Sequence, residues 1–171
     1  SKNASAEVAK IRGVFPNFKD SAFDKPERGL RVRNATTNSI APTGTIAIIA
    51  GCSSSIEPYF ALAYRRMSYI GKTEEAVELI EVNPLFEEVA KKEGFYSEEL
   101  MKKVVEKGTV KGIKEVPEKW QKIFVTAHDI APEWHIKTQA AFQQYTDLAV
   151  SKTINFPYQA TVGDVEKSYL L

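Results

Sequence analysis

Thiols are nearly absent from this chain. Its 171 residues hold one cysteine, Cys52, which excludes an internal disulfide and any CxxC-type metal site. A lone thiol fits a reducing compartment, and the expected setting is cytoplasmic. Histidine is scarce as well. His128 and His135 are the two present, and neither stands in an HxxxH or HxxE cluster of the kind that holds zinc. No charge of one sign prevails: Lys and Arg total 23 against 22 Asp and Glu, a net of +1. A dedicated nucleic-acid binder carries a basic surplus, and so does a polybasic membrane-surface domain. Long hydrophobic runs are missing too. The aliphatic run from Ile46 to Ala50 falls far short of the roughly 20 apolar residues that span a bilayer. The opening residues show no charged segment followed by an apolar one, so no secretory signal is expected. Neither nucleic acid nor a membrane is an expected partner.

What remains is an ordinary globular make-up, 43% hydrophobic and 26% charged, long enough to bury a core. Four stretches differ in character. Residues 1–30 are polar and weakly patterned, with Phe15, Phe18 and Phe23 set among turn formers. They read as an extended lead-in pinned by aromatics on the surface of a larger body. Residues 31–66 combine small and hydroxyl residues with an apolar run. Pro42 biases Ala41 away from the α region, Thr43 is a suitable N-cap, and Gly51 suits a C′ position. A short buried helix over Ile46–Ala50 is expected, with a short buried strand as the competing reading. The run from Tyr59 to Tyr64 reads as a buried strand or mixed segment.

Residues 67–127 read as a peripheral helical subdomain. Asn83 and Pro84 open one helix, stopped by Gly94, with Leu85, Phe86 and Val89 at helical spacing. Ser97 caps the next, with Leu100, Met101, Val104 and Val105 inward and Gly108 as its stop. Pro117 starts a third, with Trp120, Ile123, Phe124 and Ala127 inward. Glu74, Glu75, Glu78 and Glu81 form a solvated helical face. Residues 128–171 open with the longest helix, running through "WHIKTQAAFQQYTD". "AVSKTINFP" has the Val, Thr, Ile and Phe content of a strand ended by Pro157. A last helix starts at Thr161 with an acidic residue at N3, and its apolar, uncapped end at Leu170 and Leu171 is what a chain cut inside a helix would show.

The strongest chemical feature is Pro42-Thr43-Gly44-Thr45-Ile46. A helix start leaves backbone N–H groups unpaired beside a partial positive charge. Gly44 would allow close approach of a ligand, and Thr43 and Thr45 add hydroxyls. Such a loop suits a phosphate or diphosphate, although an ordinary capped helix start has the same residues, and no P-loop lysine is present. Just upstream, Arg33 can pair with a phosphate or with a carboxylate elsewhere. Asn34 and Asn38 can fix a polar turn or a ribose. Cys52 with a histidine would make a nucleophilic dyad, but a small, buried, inert cysteine is the expected reading. His135 with Asp129 or Glu133 would make a thin metal site; a hydrogen-bonded histidine is the default.

Several long stretches together carry a resemblance. "RNATTNSIAPTGTIAIIAGCSSSIEP", "VNPLFEEVAKKEGFYSEELM" and "FVTAHDIAPEWHIKTQAAFQQYTDLAVSKTINFP" resemble adenosylcobalamin-dependent (class II) ribonucleotide reductase, over nearly the whole chain. The resemblance implies an α/β fold: a fragment of the family's ten-stranded barrel, from its later part, helix-rich in the middle, with "SKTINF" as one strand. It implies that Pro42, Thr43, Gly44, Thr45 and Ile46 hold the phosphates of a ribonucleoside di- or triphosphate, with Arg33 and Asn34 as possible support. It implies adenosylcobalamin as the parent's cofactor, the remainder of the barrel as a partner, and an oligomeric parent.

The family replaces a ribose 2′-hydroxyl by hydrogen. A cysteine thiyl radical removes the 3′-hydrogen, a cysteine pair supplies reducing equivalents, and a glutamate serves as acid and base. Three thiols are needed, and Cys52 matches a stretch that is none of them. The catalytic residues are therefore expected elsewhere in the parent, and the chain alone is expected to be inactive. Two other readings stay open on the residues: a stand-alone, non-catalytic phosphate- or nucleotide-binding or scaffold module, and a cysteine hydrolase built on Cys52.

Overall fold

A computed structural model describes residues 1–25, 27, 29–69 and 76–171. The chain forms two units: Ser1–Pro42 with Lys137–Lys152, and Thr43–Ile136 with Thr153–Leu171.

The first unit begins with helix α1, Lys2–Arg12, where an extended lead-in was expected. Its inward stripe is made of small residues, Ser5, Ala6 and Ala9, which let neighbouring backbone approach closely. Lys10 and Arg12 lie in the last turn, where cations complement the helix dipole. Phe15, Phe18 and Phe23 do form an aromatic knot. Phe15 meets Phe18 and Phe23 edge-on at 5.4 and 5.7 Å, and the Arg31 guanidinium sits 5.0 Å from the Phe18 ring. The chain then passes back along α1: Arg33 N–H donates to the Ser5 carbonyl.

Further on in this unit, Ile40 and Val150 form an isolated parallel bridge. The expected strand over "SKTINF" reduces to that bridge and the bond from Ser151 N–H to the Ile40 carbonyl at 2.8 Å. Residues 152–156 have strand composition but form no ladder among the described residues. A strand exists only with a partner, and composition does not provide one.

The second unit holds helix α2, Gly44–Ala50, and an antiparallel hairpin of β1, Ala63–Tyr69, and β2, Ala76–Val82. The register runs from Ala63 opposite Val82 to Tyr69 opposite Ala76. This corrects the helical reading of residues 67–127. Glu78 and Glu81 lie on a strand; Glu74 and Glu75 fall outside the described residues. "AVELIEV" has its two glutamates three apart, a helical spacing, but carries the β-branched Val77, Ile80 and Val82, and pairing with β1 decides for the strand.

Helix α3, Pro84–Lys92, starts as expected: Asn83 Oδ1 accepts from Leu85 and Phe86 N–H. Helix α4, Glu98–Lys107, is capped by Ser97 and closed by left-handed Gly108. The core gathers Leu62, Phe86, Leu100, Val104, Val110 and Val116. Phe124 closes on Phe86 edge-on at 5.2 Å. Leu85 and Ile123, expected inward, are exposed. Ala90 holds the inward position on α3, and on helix α5, Glu118–Ile123, Trp120 packs against the core.

After a 3₁₀ turn at Ala127–Asp129 comes helix α6, Pro132–Gln143. Pro132 and Glu133 lie in its first turn, and it turns His135 inward while Trp134 is exposed. Helix α7, Val162–Leu170, begins with the expected capping box between Thr161 and Asp164. No helix among the described residues is long and apolar enough to cross a membrane.

Candidate functional site

Residues 42–46 form an exposed corner that leads into α2. The helix is present where the sequence placed it, and Gly51 ends it with φ of 64°. Gly51 N–H reaches the Ile48 carbonyl and Cys52 N–H reaches that of Ala47, a Schellman closure. The start of the helix departs from expectation. Thr43 lies in the left-handed region, φ 49° and ψ 32°, and its side chain makes no cap bond. Side-chain capping needs a β-region backbone at that position. A β-branched residue held left-handed is strained by roughly 1–3 kcal/mol.

Two consequences follow from this local structure. The N–H groups of Gly44, Thr45 and Ile46 find no partner among the described residues. A Cβ built on Gly44 would meet nothing within 4 Å, and Gly44 has no positive φ. Neither packing nor backbone conformation requires glycine here, so the space beside it is open to something from outside.

The expected burial of α2 is overturned. Ile46, Ile48 and Ile49 are 64, 80 and 82% exposed, and Ala47 alone is buried. A helix of seven residues offers one narrow stripe to its own unit, and the isoleucines lie outside it. Cys52, expected to be buried, is exposed too.

Arg33 and Asn34 belong to the first unit and Thr43–Ile46 to the second. Arg33 Nη1 donates to the Val14 carbonyl at 2.9 Å. Asn34 accepts from Ser5 Oγ at 3.0 Å and returns its backbone N–H to the same oxygen. Both are engaged within their own unit. Asn38 fixes a turn, donating to the Tyr145 carbonyl and accepting from Asp147 N–H. Asp147 was not singled out by sequence. Hydrogen bonds from Lys2 and Thr37 hold its carboxyl below the usual range.

The histidines have structural roles. His135 is buried with Nε2 3.1 Å from the Ala127 carbonyl, and His128 meets the Phe60 ring edge-on at 5.0 Å. Asp129 Oδ2 accepts from Thr126 N–H, Thr126 Oγ1 and Thr109 Oγ1. Burial pushes that carboxyl up, but these bonds together with Lys111 outweigh it and leave it lowered. No group of three or more His, Cys, Asp or Glu among the described residues is arranged to hold a metal.

Comparison with known proteins agrees with the fold. The family described as ribonucleotide reductase, barrel domain, matches over residues 1–171. A vitamin B12-dependent ribonucleoside-diphosphate reductase of Thermoplasma acidophilum is 53% identical over 169 residues, 99% of this chain and 21% of that protein. The protein of that name from Mycobacterium tuberculosis H37Rv is 45% identical over 167 residues, 98% of this chain and 22% of that one. A class Id ribonucleotide reductase alpha subunit from Actinobacillus ureae has the same fold, with a TM-score of 0.74 at 24% identity, covering 99% of this chain and 28% of that chain. The chain thus spans about a fifth of the length of these curated relatives. It belongs to the ribonucleotide reductase barrel-domain family.

Proposed function

We propose that this chain is part of a vitamin B12-dependent ribonucleotide reductase, working in the cytoplasm on ribonucleoside diphosphates, and that residues 42–46 hold the substrate's phosphates. The observation that carries the activity is the 53% identity, over 99% of the chain, to a reductase named for that cofactor and substrate class. The phosphate role is supported by the local structure. Three successive amides without a partner among the described residues, an unobstructed glycine and a strained left-handed threonine form an exposed corner. Backbone donors of this kind bind phosphate oxygens without a basic cluster.

The chemistry on the ribose belongs to other parts of the parent. It needs three thiols, and Cys52 is the one cysteine here. The contribution of this chain is to bind and orient. Anchoring the diphosphate fixes where the ribose sits, and orientation of this sort supplies a large share of an enzyme's rate. Adenosylcobalamin is the parent's cofactor in this reading. Two concavities among the described residues, of about 540 and 440 Å³, are lined chiefly by Lys103, Glu106, Lys107, Lys114 and Glu115, and by Lys2, Asn3, Asn38 and Asp147. Neither of these two presents the broad apolar face a corrin needs, so neither fits the cofactor.

The full-length parent, given adenosylcobalamin and a dithiol, is expected to reduce ribonucleoside diphosphates, and residues 1–171 alone to give no turnover. Reduction by the isolated chain would overturn the division of roles. In the full-length enzyme, Gly44→Val places two methyl groups where a phosphate must approach. KM is expected to rise about tenfold, the equivalent of roughly 1.4 kcal/mol of binding. Unchanged KM and kcat would remove the phosphate assignment.

A further inference from the structure

We draw no further inference here: the strongest candidate, the concavity of about 540 Å³ between the end of α4 and residues 112–115, carries nothing, because Glu99 and Glu115 already pair with its Lys103, the Lys111 carbonyl accepts from its Lys107, Glu106 sets a carboxylate in the same wall, and no buried side chain among the described residues turns an unpartnered polar atom into it.

Discussion

Helices α2 and α4 use the same local signals and end in opposite circumstances. Each follows a hydroxyl residue, carries several large apolar residues and stops at a left-handed glycine. Around α4 every signal is satisfied within the chain. Ser97 Oγ accepts from Leu100 N–H, and Leu100, Met101, Val104 and Val105 all enter the core. Around α2 the hydroxyl residue is left-handed and makes no side-chain cap bond, the first amides find no partner among the described residues, and three isoleucines are exposed. One helix completes a core on its own. The other leaves its apolar surface exposed and its first amides without a partner among the described residues. Contiguous exposed apolar surface is what an interaction face presents, and a partner for α2 is what the variants below test.

The contrast predicts a large loss on one side. Phe86 is fully buried, edge-on to Phe124 at 5.2 Å and tilted against Phe95 at 6.3 Å. Phe86→Ala removes the centre of that packing and is expected to cost about 3–5 kcal/mol in denaturant unfolding of the chain. A loss below about 1 kcal/mol would mean the region is no more self-sufficient than α2.

A smaller effect sharpens the same side. The carboxylate of Asp129 ties Thr126 to Thr109 beneath the core. Its folded-state pKa is lowered, so its contribution is full above the unfolded value, near 3.8. It is lost as pH falls through the lower folded value. Between pH 5 and the acid limit, the wild type is therefore expected to lose thermal stability more steeply than Asp129→Asn. Parallel curves would show that the charge of Asp129 is not what the fold uses.

Legibility followed the range of the interactions. Helices α3, α4 and α7 were readable because Asn83 with Pro84, Ser97 with Gly108, and Thr161 with Asp164 each act within a turn of the residues they cap. Helix α1 was not, because its stripe is Ser5, Ala6 and Ala9, which carries almost no hydropathy signal. Strand β2 was misread because seven residues suit either period until β1 pairs with them. "SKTINF" failed in the other direction: its composition promises a ladder that pairing reduces to one bridge. At the corner, Pro42-Thr43-Gly44 was visible as a motif, but the left-handed Thr43 was not, since strain leaves no mark on composition. Asp147 was invisible because its partner Thr37 is 110 residues away in sequence.

The smallest expected effect is the most telling. Ile48 is among the most exposed apolar residues of the chain. Ile48→Ala removes little buried surface there, and alanine is the better helix former by a few tenths of a kcal/mol. In the isolated chain the two should nearly cancel, leaving stability within about 0.5 kcal/mol. In the full-length reductase, the same substitution is expected to cost about 2–4 kcal/mol if the remaining barrel covers α2. Equal effects in the two proteins would break the contrast between α2 and α4. Small in both, α2 is an ordinary surface helix whose isoleucines have no partner; large in both, the chain already covers that face by self-association. Only a small effect in the piece and a large one in the whole fits a helix whose core lies in another part of the protein.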